Sequence, residues 1–474
     1  MKNKKKLIIG IVAVVAVIAI AVLAYFLIFK GGNKSPSLRE TVDNRVIAYE
    51  TDLRDSLSSM TDQESVANYL ATWAKNKGIE AKTDKNNNVV LTINATEGFE
   101  SKAPVVILCG YDYSCMETYI NSIVSALTIA KNNEEHGAYK IIFFSQENGN
   151  FDSVEALSAQ HFTDDTEVIY LGNSSSSRIS KVTGGYESYN LSQKIKQVTP
   201  THNKAYKITI SGLPSLSIGS KSAYAPNPIK TLGNLLANFK STSLFFELAS
   251  FSGGSNGHTN PSEASMIIVI DEDTTAKLEK KLDSAIEKFC DKNEENYPNL
   301  QYTYEEVEMP SKVLSPADTD ALVSLMYTSL NGVHYKDNNG DVVALANIGF
   351  ANTENSSFNM NVTVASSDQF FLDEMREAYQ TTCGLSGVEY SLSKQYDIFA
   401  IDESNQAFED AFRAAYTKYR NTGLDNINMP EASPLSAIYA KNPNVKLLIA
   451  GITEKTKDNF AGGIITYLKN PATN

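Results

Sequence analysis

Two short polar stretches each follow an apolar, strand-like run, and they are where the sequence could do chemistry. The first, Gly110–Ser114 (GYDYS), comes directly after the run Val105–Cys109, and the second begins at Gln146 after the next such run. Ligands of α/β proteins gather at the carboxyl ends of strands. The carboxylates Asp112 and Glu147 in these stretches could therefore hold a divalent cation.

A calcium site is one form that this chemistry could take. Asp112, Glu147 and Asp458, together with an oxygen of Tyr111, would offer the ligands that Ca²⁺ prefers if the first loop shifted by one residue. An Asp that follows a strand is more often a turn or capping residue. The sequence therefore favours the turn over the calcium site.

Histidine and cysteine show no metal-ligand pattern. The five histidines lack a spacing such as His-X-X-X-His, and His258, which follows the turn-like GGSNG, is expected in an exposed loop. The four cysteines are too scattered for a zinc-thiolate site, so we expect small buried residues. Cys109 and Cys115 are close enough in sequence to pair in an oxidising compartment. A phosphate-loop motif is absent from the sequence.

The N-terminal residues predict a membrane anchor. Leu7–Phe29 is an uninterrupted run of 23 apolar residues, which as a helix would be about 35 Å long and would span a bilayer. Lysines precede it in the basic tail 1–6, which predicts a cytoplasmic N-terminus and an extracytoplasmic C-terminal bulk at the cell membrane. A cleaved signal peptide is the alternative, although its apolar core spans only about 7–15 residues. Residues 30–37 would form a flexible linker.

The charge and the alternation of elements indicate the kind of protein. A net charge of −13 argues against nucleic acid as the main partner. Strands and helices alternate through 38–185 and again through 397–470, which predicts one α/β domain in two pieces with a mixed, mostly parallel sheet. Residues 186–396 carry two successive units of similar pattern and predict an inserted, internally duplicated α+β lid. The predicted fold class is thus α/β with a lid, preceded by one transmembrane helix, and we expect a monomeric ectodomain.

Five segments resemble the aminoacyl-histidine (Xaa-His) dipeptidases, within the carnosinase- and aminoacylase-like zinc metallopeptidases. They follow one another in order along nearly the whole chain after the anchor, which makes the resemblance stronger than any one segment. It implies a dinuclear-zinc catalytic domain with a lid. The segments are Ala95–Ser114, Asn133–Gly149, Ile208–Gly219, Phe251–Ala264 and Leu314–Val333.

Position by position, the resemblance implies a degenerate site. The family's Gly-His-X-Asp, whose His binds zinc and whose Asp orients it, is Gly-Tyr-Asp-Tyr in this chain. Of the family's ligands, only Glu147 survives. The degenerate positions, in motif order, are Tyr111, Asp112 and Tyr113 (first motif), Asn121 (bridging Asp), Gln146 (general base), Gly172 or its neighbour Asn173 (a later Asp ligand) and Asp458 (final His).

Two hypotheses follow from this pattern. Zinc needs three or four N, S or carboxylate ligands, tyrosine is a poor ligand at neutral pH, and glutamine cannot accept a proton from water. The first hypothesis is a catalytically inactive, membrane-anchored relative without a cofactor, which binds a peptide or serves as a scaffold or regulator. The alternative is an active zinc-dependent dipeptidase with displaced ligands. The expected partners are the membrane, through Leu7–Phe29, and a peptide ligand.

Overall fold

The computed structural model of the protein describes residues 36–174, 177–219, 221–354 and 356–470. The predicted membrane helix Leu7–Phe29, the basic tail 1–6 and all but the last two residues of the predicted linker lie outside the described residues. Within the described ranges, no helix combines the length and the apolar character that a membrane crossing needs.

The chain divides into two compact units, Met1–Asn44 and Arg45–Asn474. The described part of the first unit, 36–44, holds the start of a helix, where the Ser37 backbone N–H donates to the Glu40 carboxylate over 2.8 Å and the Glu40 N–H donates to the Ser37 hydroxyl over 3.2 Å. This reciprocal capping satisfies backbone donors that a helix start leaves open. The second unit contains both large sheets.

Helix starts follow the capping residues of the sequence. The Asp62 carboxylate accepts a hydrogen bond from the Ser65 backbone N–H, and the Asp62 backbone N–H donates to the Ser65 hydroxyl, which completes a capping box. Asn227 caps another helix, which has Pro228 in its first turn. The described helices are Leu38–Ser56, Gln63–Asn76, Met116–Ala130, Asp152–Glu155, Pro228–Ser241, Thr275–Asn293, Pro316–Thr328, Gln369–Ser386, Gln406–Arg420, Leu435–Lys441 and Lys457–Leu468.

The first large sheet is an eight-stranded mixed sheet, which confirms the prediction of a mixed α/β fold. Its centre is parallel: Val105–Tyr111 pairs with Tyr139–Ser145 and with Glu167–Asn173, and the latter pairs with Lys446–Ile452. All seven residues of Val105–Tyr111 are buried, as expected for a central parallel strand. The order across the sheet is Glu80–Thr83, Val89–Ile93, Tyr139–Ser145, Val105–Tyr111, Glu167–Asn173, Lys446–Ile452, Arg178–Ser180 and Asp425–Asn426.

The second large sheet has nine strands, all paired antiparallel. One face packs against helices, among them Pro228–Ser241, through a cluster of buried apolar side chains. The predicted domain boundaries and the predicted duplication of the lid stay predictions. The strands are, in order, Gln301–Val307, Lys204–Ser211, Ala264–Ile270, Glu247–Gly254, Val342–Glu354, Ser357–Ser366, Gly185–Lys194 and Glu389–Tyr396, with Gly332–Lys336 paired to Val342–Glu354.

Short two-residue strands complete the topology. The pair Leu216–Ser217 and Thr259–Asn260 matters for function, because it holds a loop of the nine-stranded sheet near the carboxyl end of Val105–Tyr111. The Ser217 backbone N–H donates to the Thr118 hydroxyl over 2.8 Å, which ties this pair to the helix that follows the first polar loop. The other two-residue strands outside the two large sheets are Val182–Thr183, Gln197–Val198, Val313–Leu314 and Phe399–Ala400.

Candidate functional site

A buried aspartate–histidine pair joins the two sheets. Asp112 follows strand Val105–Tyr111 of the eight-stranded sheet, whereas His258 follows strand Glu247–Gly254 of the nine-stranded sheet. His258 Nε2 and Asp112 Oδ2 are 3.0 Å apart, and the two residues are 2% and 1% exposed. The expectation of an exposed loop for His258 is therefore wrong, because the loop packs against the strand end where Asp112 provides its partner.

The other carboxylate oxygen of Asp112 also has hydrogen-bond partners. Oδ1 accepts hydrogen bonds from Gln63 Nε2 over 3.0 Å, from the Ser114 backbone N–H over 2.9 Å and from the Ser114 hydroxyl over 2.8 Å. Burial raises the pKa of Asp112, but the hydrogen bonds from His258 and Ser114 outweigh it, so the pKa lies below its ordinary value. Asp112 is thus a carboxylate at neutral pH.

Backbone contacts fix the position of the imidazole. Gly149 has φ +66° and approaches His258 so closely that a Cβ at this glycine would lie 2.9 Å from the His258 Cβ. The His258 backbone N–H donates to Asn256 Oδ1 over 3.2 Å, and its carbonyl accepts from the Ile218 N–H over 2.7 Å. The ring is therefore held from the turn at the end of strand Tyr139–Ser145 as well as from its own loop.

Cys115 adds a third potential metal ligand to this pair. Its Sγ, a carboxylate oxygen of Asp112 and a ring nitrogen of His258 all lie within 4.8 Å of one another, and all three residues are buried. Burial and the charge of Asp112 raise the pKa of the Cys115 thiol well above its usual value. Without a cation, Cys115 is therefore a neutral thiol, and a bound dication would favour its thiolate.

All four cysteines are free, so Cys109 and Cys115 do not pair in this structure. The expectation of buried cysteines holds for Cys109, Cys115 and Cys383, whereas Cys290 is half-buried. Burial raises the pKa of Cys109 to about 12, which leaves this thiol neutral.

A cavity of about 60 Å³ lies beside the cluster, between the two sheets. Its walls include His258, Gln146, Glu431 and Lys221. Gln146 Oε1 is a buried atom with no hydrogen-bond partner among the described residues. The volume suits a few water molecules, whereas pockets for small organic ligands reach about 300–1,000 Å³. The cleft is therefore too narrow for such a ligand in this conformation.

The two tyrosines of the first motif are not placed as ligands. The Tyr111 hydroxyl donates to the Asn87 carbonyl over 2.5 Å, and burial raises the pKa of this phenol. Tyr113 is 41% exposed, and its backbone N–H faces Gln63 Oε1 at 3.4 Å. A neutral phenol that donates to a backbone carbonyl has no reason to bind zinc at neutral pH.

A lysine ammonium lies beside Asn121, the position of the bridging carboxylate. Lys457 Nζ is 3.3 Å from Asn121 Oδ1 and 2.5 Å from Glu50 Oε2, and Lys457 is 8% exposed. Burial raises the pKa of Glu50, but its bonds to Lys457 and Arg54 outweigh burial and lower it. A fixed positive charge beside Asn121 repels the two dications that a bridging carboxylate would hold.

The remaining predicted positions belong to no cluster of potential metal ligands among the described residues. Glu147, the surviving ligand, is exposed in a short turn. Asn173 accepts a hydrogen bond from the Ser122 hydroxyl over 3.2 Å, and Gly172 is buried without a side chain to offer. Asp458 is half-buried in the first turn of the last helix. These residues do not fit the paired zinc ions that the resemblance implies.

The structure instead brings together Asp112, Cys115 and His258. Oxygen, sulfur and nitrogen from three side chains match the donor number of a catalytic zinc site, which leaves its fourth position to water or substrate. Sequence reasoning placed Asp112 in the degenerate motif, assigned His258 to an exposed loop and expected Cys115 to be a small buried residue that binds no metal. The three-residue step from Asp112 to Cys115 was visible in the sequence, but nothing local linked either residue to His258.

Comparisons with known proteins give the fold of the chain. No family model matches the chain. The cytosol non-specific dipeptidase of Escherichia coli strain K12 is 23% identical over 313 residues, which are 57% of this chain and 62% of that relative. The crystal structure of aminoacylhistidine dipeptidase from Vibrio alginolyticus covers 88% of this chain and 94% of its own, with 18% identity and a TM-score of 0.55. The chain has this dipeptidase fold.

The similarity supports the predicted resemblance to dipeptidases, although the matched stretch spans less than two thirds of the curated relative. Human carnosine dipeptidase 1 gives a TM-score of 0.46 at 10% identity. Because the identities are low, the fold carries over to this chain, whereas activity has to be argued from the site.

The predicted location at the cell membrane, with the bulk of the chain outside, is corrected by two findings. The matched relative is named a cytosol dipeptidase. In addition, the described residues contain no helix that could span a membrane, since a span needs about 20 consecutive apolar residues. The predicted single-pass topology and membrane partner therefore have no support in the described part of the chain.

Proposed function

We propose that the chain is a metal-dependent peptidase for short peptides, with one zinc ion held by Asp112, Cys115 and His258 in place of a metal pair. The observation that carries this proposal is the convergence of three buried donor atoms within 4.8 Å, beside a cavity at the carboxyl end of the sheet. The similarity to a dipeptidase and the shared dipeptidase fold support the substrate class.

A zinc ion at this cluster would act as a Lewis acid that polarises a peptide carbonyl. The cavity residues would bind and orient the substrate. Glu431 and Lys221 offer one negative and one positive group, which suits the ammonium and carboxylate termini of a short zwitterionic peptide. Gln146, whose Oε1 has no partner among the described residues, can accept a hydrogen bond from a substrate N–H.

Closure between the two sheets would assemble the site. Asp112 and Cys115 come from the eight-stranded side and His258 from the nine-stranded side. Because the closed cavity of about 60 Å³ is too small for a dipeptide, the two sides have to separate for entry. Separation removes the histidine donor, and closure restores it while excluding bulk water but not the one water molecule that hydrolysis consumes.

The test combines metal content with activity. Protein purified without chelator should contain about one zinc per chain, and it should hydrolyse dipeptides such as β-Ala-His in a zinc-dependent way. Cys115→Ser should abolish the thiolate-to-cobalt charge-transfer band of the Co²⁺-substituted protein, whereas Glu147→Gln, at the exposed family position, should retain both the band and the activity. Zinc below about 0.2 per chain, or an equal loss in Glu147→Gln, would overturn the proposal.

The second candidate function is a metal-free peptide-binding or scaffold protein. It is favoured by Lys457, whose ammonium lies beside Asn121 where the family has its bridging carboxylate. Calorimetry separates the two candidates: dipeptide binding that EDTA leaves unchanged, without turnover, supports this function and contradicts the zinc peptidase.

A further inference from the structure

A lysine-lined groove runs between the helices Pro228–Ser241 and Thr275–Asn293 on the nine-stranded sheet. Its volume is about 720 Å³, and no carboxylate is among the side chains that line it. The chain as a whole carries a net charge of −13, so this groove is an electrostatic exception on an acidic protein. The lysines are Lys277, Lys280, Lys281, Lys288 and Lys292.

The spacing of the lysines along the helix Thr275–Asn293 places most of them on one side of that helix. Lys277, Lys281, Lys288 and Lys292 follow helical spacing over about 22 Å and so share one flank of the helix. Two acids of the same helix point to another flank, since Glu279 accepts from the Tyr206 hydroxyl over 3.3 Å and Asp283 accepts from the Tyr304 hydroxyl over 3.0 Å. No ion pair joins a groove lysine to a carboxylate within the described part of the chain.

The floor of the groove contains an unpaired polar group. Tyr302 is 5% exposed and lines the groove, and its hydroxyl is buried without a hydrogen-bond partner among the described residues. A buried hydroxyl costs free energy when it makes no hydrogen bond. A ligand oxygen that reached this hydroxyl would accept its hydrogen bond. The hydroxyl is thus an independent sign of a ligand, besides the charge.

We propose that this groove is the docking site for an acidic peptide segment of a partner protein, with its carboxylates on the lysines and apolar side chains on the floor. Leu235, Ala285 and Phe289 give the floor an apolar part, which a polyphosphate could not use and an amphipathic peptide would bury. A concave groove also suits a peptide better than the flat surface of a membrane. The length of about 22 Å corresponds to six or seven extended residues.

The experiment measures binding of a labelled peptide in which Glu and Leu alternate, by fluorescence polarisation with the full chain. Lys280→Glu/Lys281→Glu/Lys288→Glu should weaken binding at least about tenfold. Lys277 is left unchanged because its ammonium donates to the carbonyls of Thr242 and Ser243 and holds the end of the neighbouring helix.

The matched control makes the same change of charge elsewhere: Lys75→Glu/Lys85→Glu/Lys418→Glu alters three exposed lysines outside the groove. It should weaken binding less than about twofold, and a Lys–Leu peptide should not bind. An equal loss in both triple variants would show unspecific charge attraction and overturn the proposal.

Tyr302→Phe tests the floor separately from the charge. It keeps the ring and removes the hydroxyl, so the peptide should bind about three- to tenfold more weakly while far-UV circular dichroism stays unchanged. Unchanged affinity would overturn the role of Tyr302. If the groove instead captures anionic vesicles but not the peptide, or mediates self-association that the groove variant abolishes, the partner-peptide proposal fails.

Discussion

His258 Nε2 lies 3.0 Å from Asp112 Oδ2, although the two residues are 146 positions apart in the chain. The contact is the point where the loop of the nine-stranded sheet meets the end of strand Val105–Tyr111. Both residues are almost fully buried, so the hydrogen bond is shielded from solvent and electrostatically strong. Substitutions at this pair therefore probe both the stability and the function of the interface between the sheets.

His258→Ala should destabilise the protein by about 3 kcal/mol, because it leaves the buried Asp112 carboxylate without its histidine partner. Urea denaturation measures the change, and the cycle with Asp112→Asn should give a coupling energy above about 1 kcal/mol. His334→Ala serves as the control: its ring is 3.9 Å from Glu374 and 26% exposed, so its cost should stay below about 1 kcal/mol. Equal costs for the two histidines would contradict a special role of the pair.

Lowering the pH should reduce the free energy of unfolding more steeply for the wild-type protein than for the Asp112→Asn variant. The pKa of Asp112 is lowered in the folded chain from an ordinary value of 3.8. The unfolded chain therefore binds the proton first, so this contribution to stability is complete above about pH 5 and is lost as the pH falls through 3.8 towards the folded pKa. Urea midpoints measured at successive pH values check this, and parallel curves for the two proteins would refute it.

The four cysteines should react with thiol reagents at rates that depend on their burial. Cys290 is half-buried and should react first, whereas Cys109, Cys115 and Cys383 should react at least about tenfold more slowly in the folded protein. Mass spectrometry of the alkylated protein identifies the modified residue at each time. Fast labelling of Cys115 would show that its surroundings open to solvent, and full labelling in urea provides the reference.

Lys457→Met should cost about 1–3 kcal/mol, because Glu50 loses a charged hydrogen-bond partner in a mostly buried setting. Glu117→Gln is the comparison. The side chains of Glu117 and Arg54 are 44% and 43% exposed, so their ion pair should contribute less than about 1 kcal/mol. Thermal and urea unfolding measure both variants. If Lys457→Met gained bound zinc, the repulsion assigned to this ammonium would be supported directly; stability unchanged within about 0.5 kcal/mol would contradict the pairing.

The sequence predicted much of the local structure. The buried run from Val105 predicts a strand that ends at a polar loop, and the structure has Val105–Tyr111 followed by Asp112. The Asp62 start signal predicts the helix that begins at Gln63. These features depend on neighbours in the chain, on hydrophobic periodicity and on capping, so they can be inferred from the order of residues. The ordered segments likewise indicated the dipeptidase resemblance that the shared fold supports.

Tertiary structure alone decided which side chains meet. His258 reaches Asp112 across 146 residues, and Lys457 reaches Asn121 across 336. Turn residues like those before His258 occur in exposed loops and in packed loops alike. The local sequence therefore does not indicate that this loop is buried. The packing of one sheet's loop against another sheet's strand ends sets these distances. Long-range packing converts a loop histidine into the partner of a buried carboxylate, and it places an ammonium beside the residue that replaces a metal ligand.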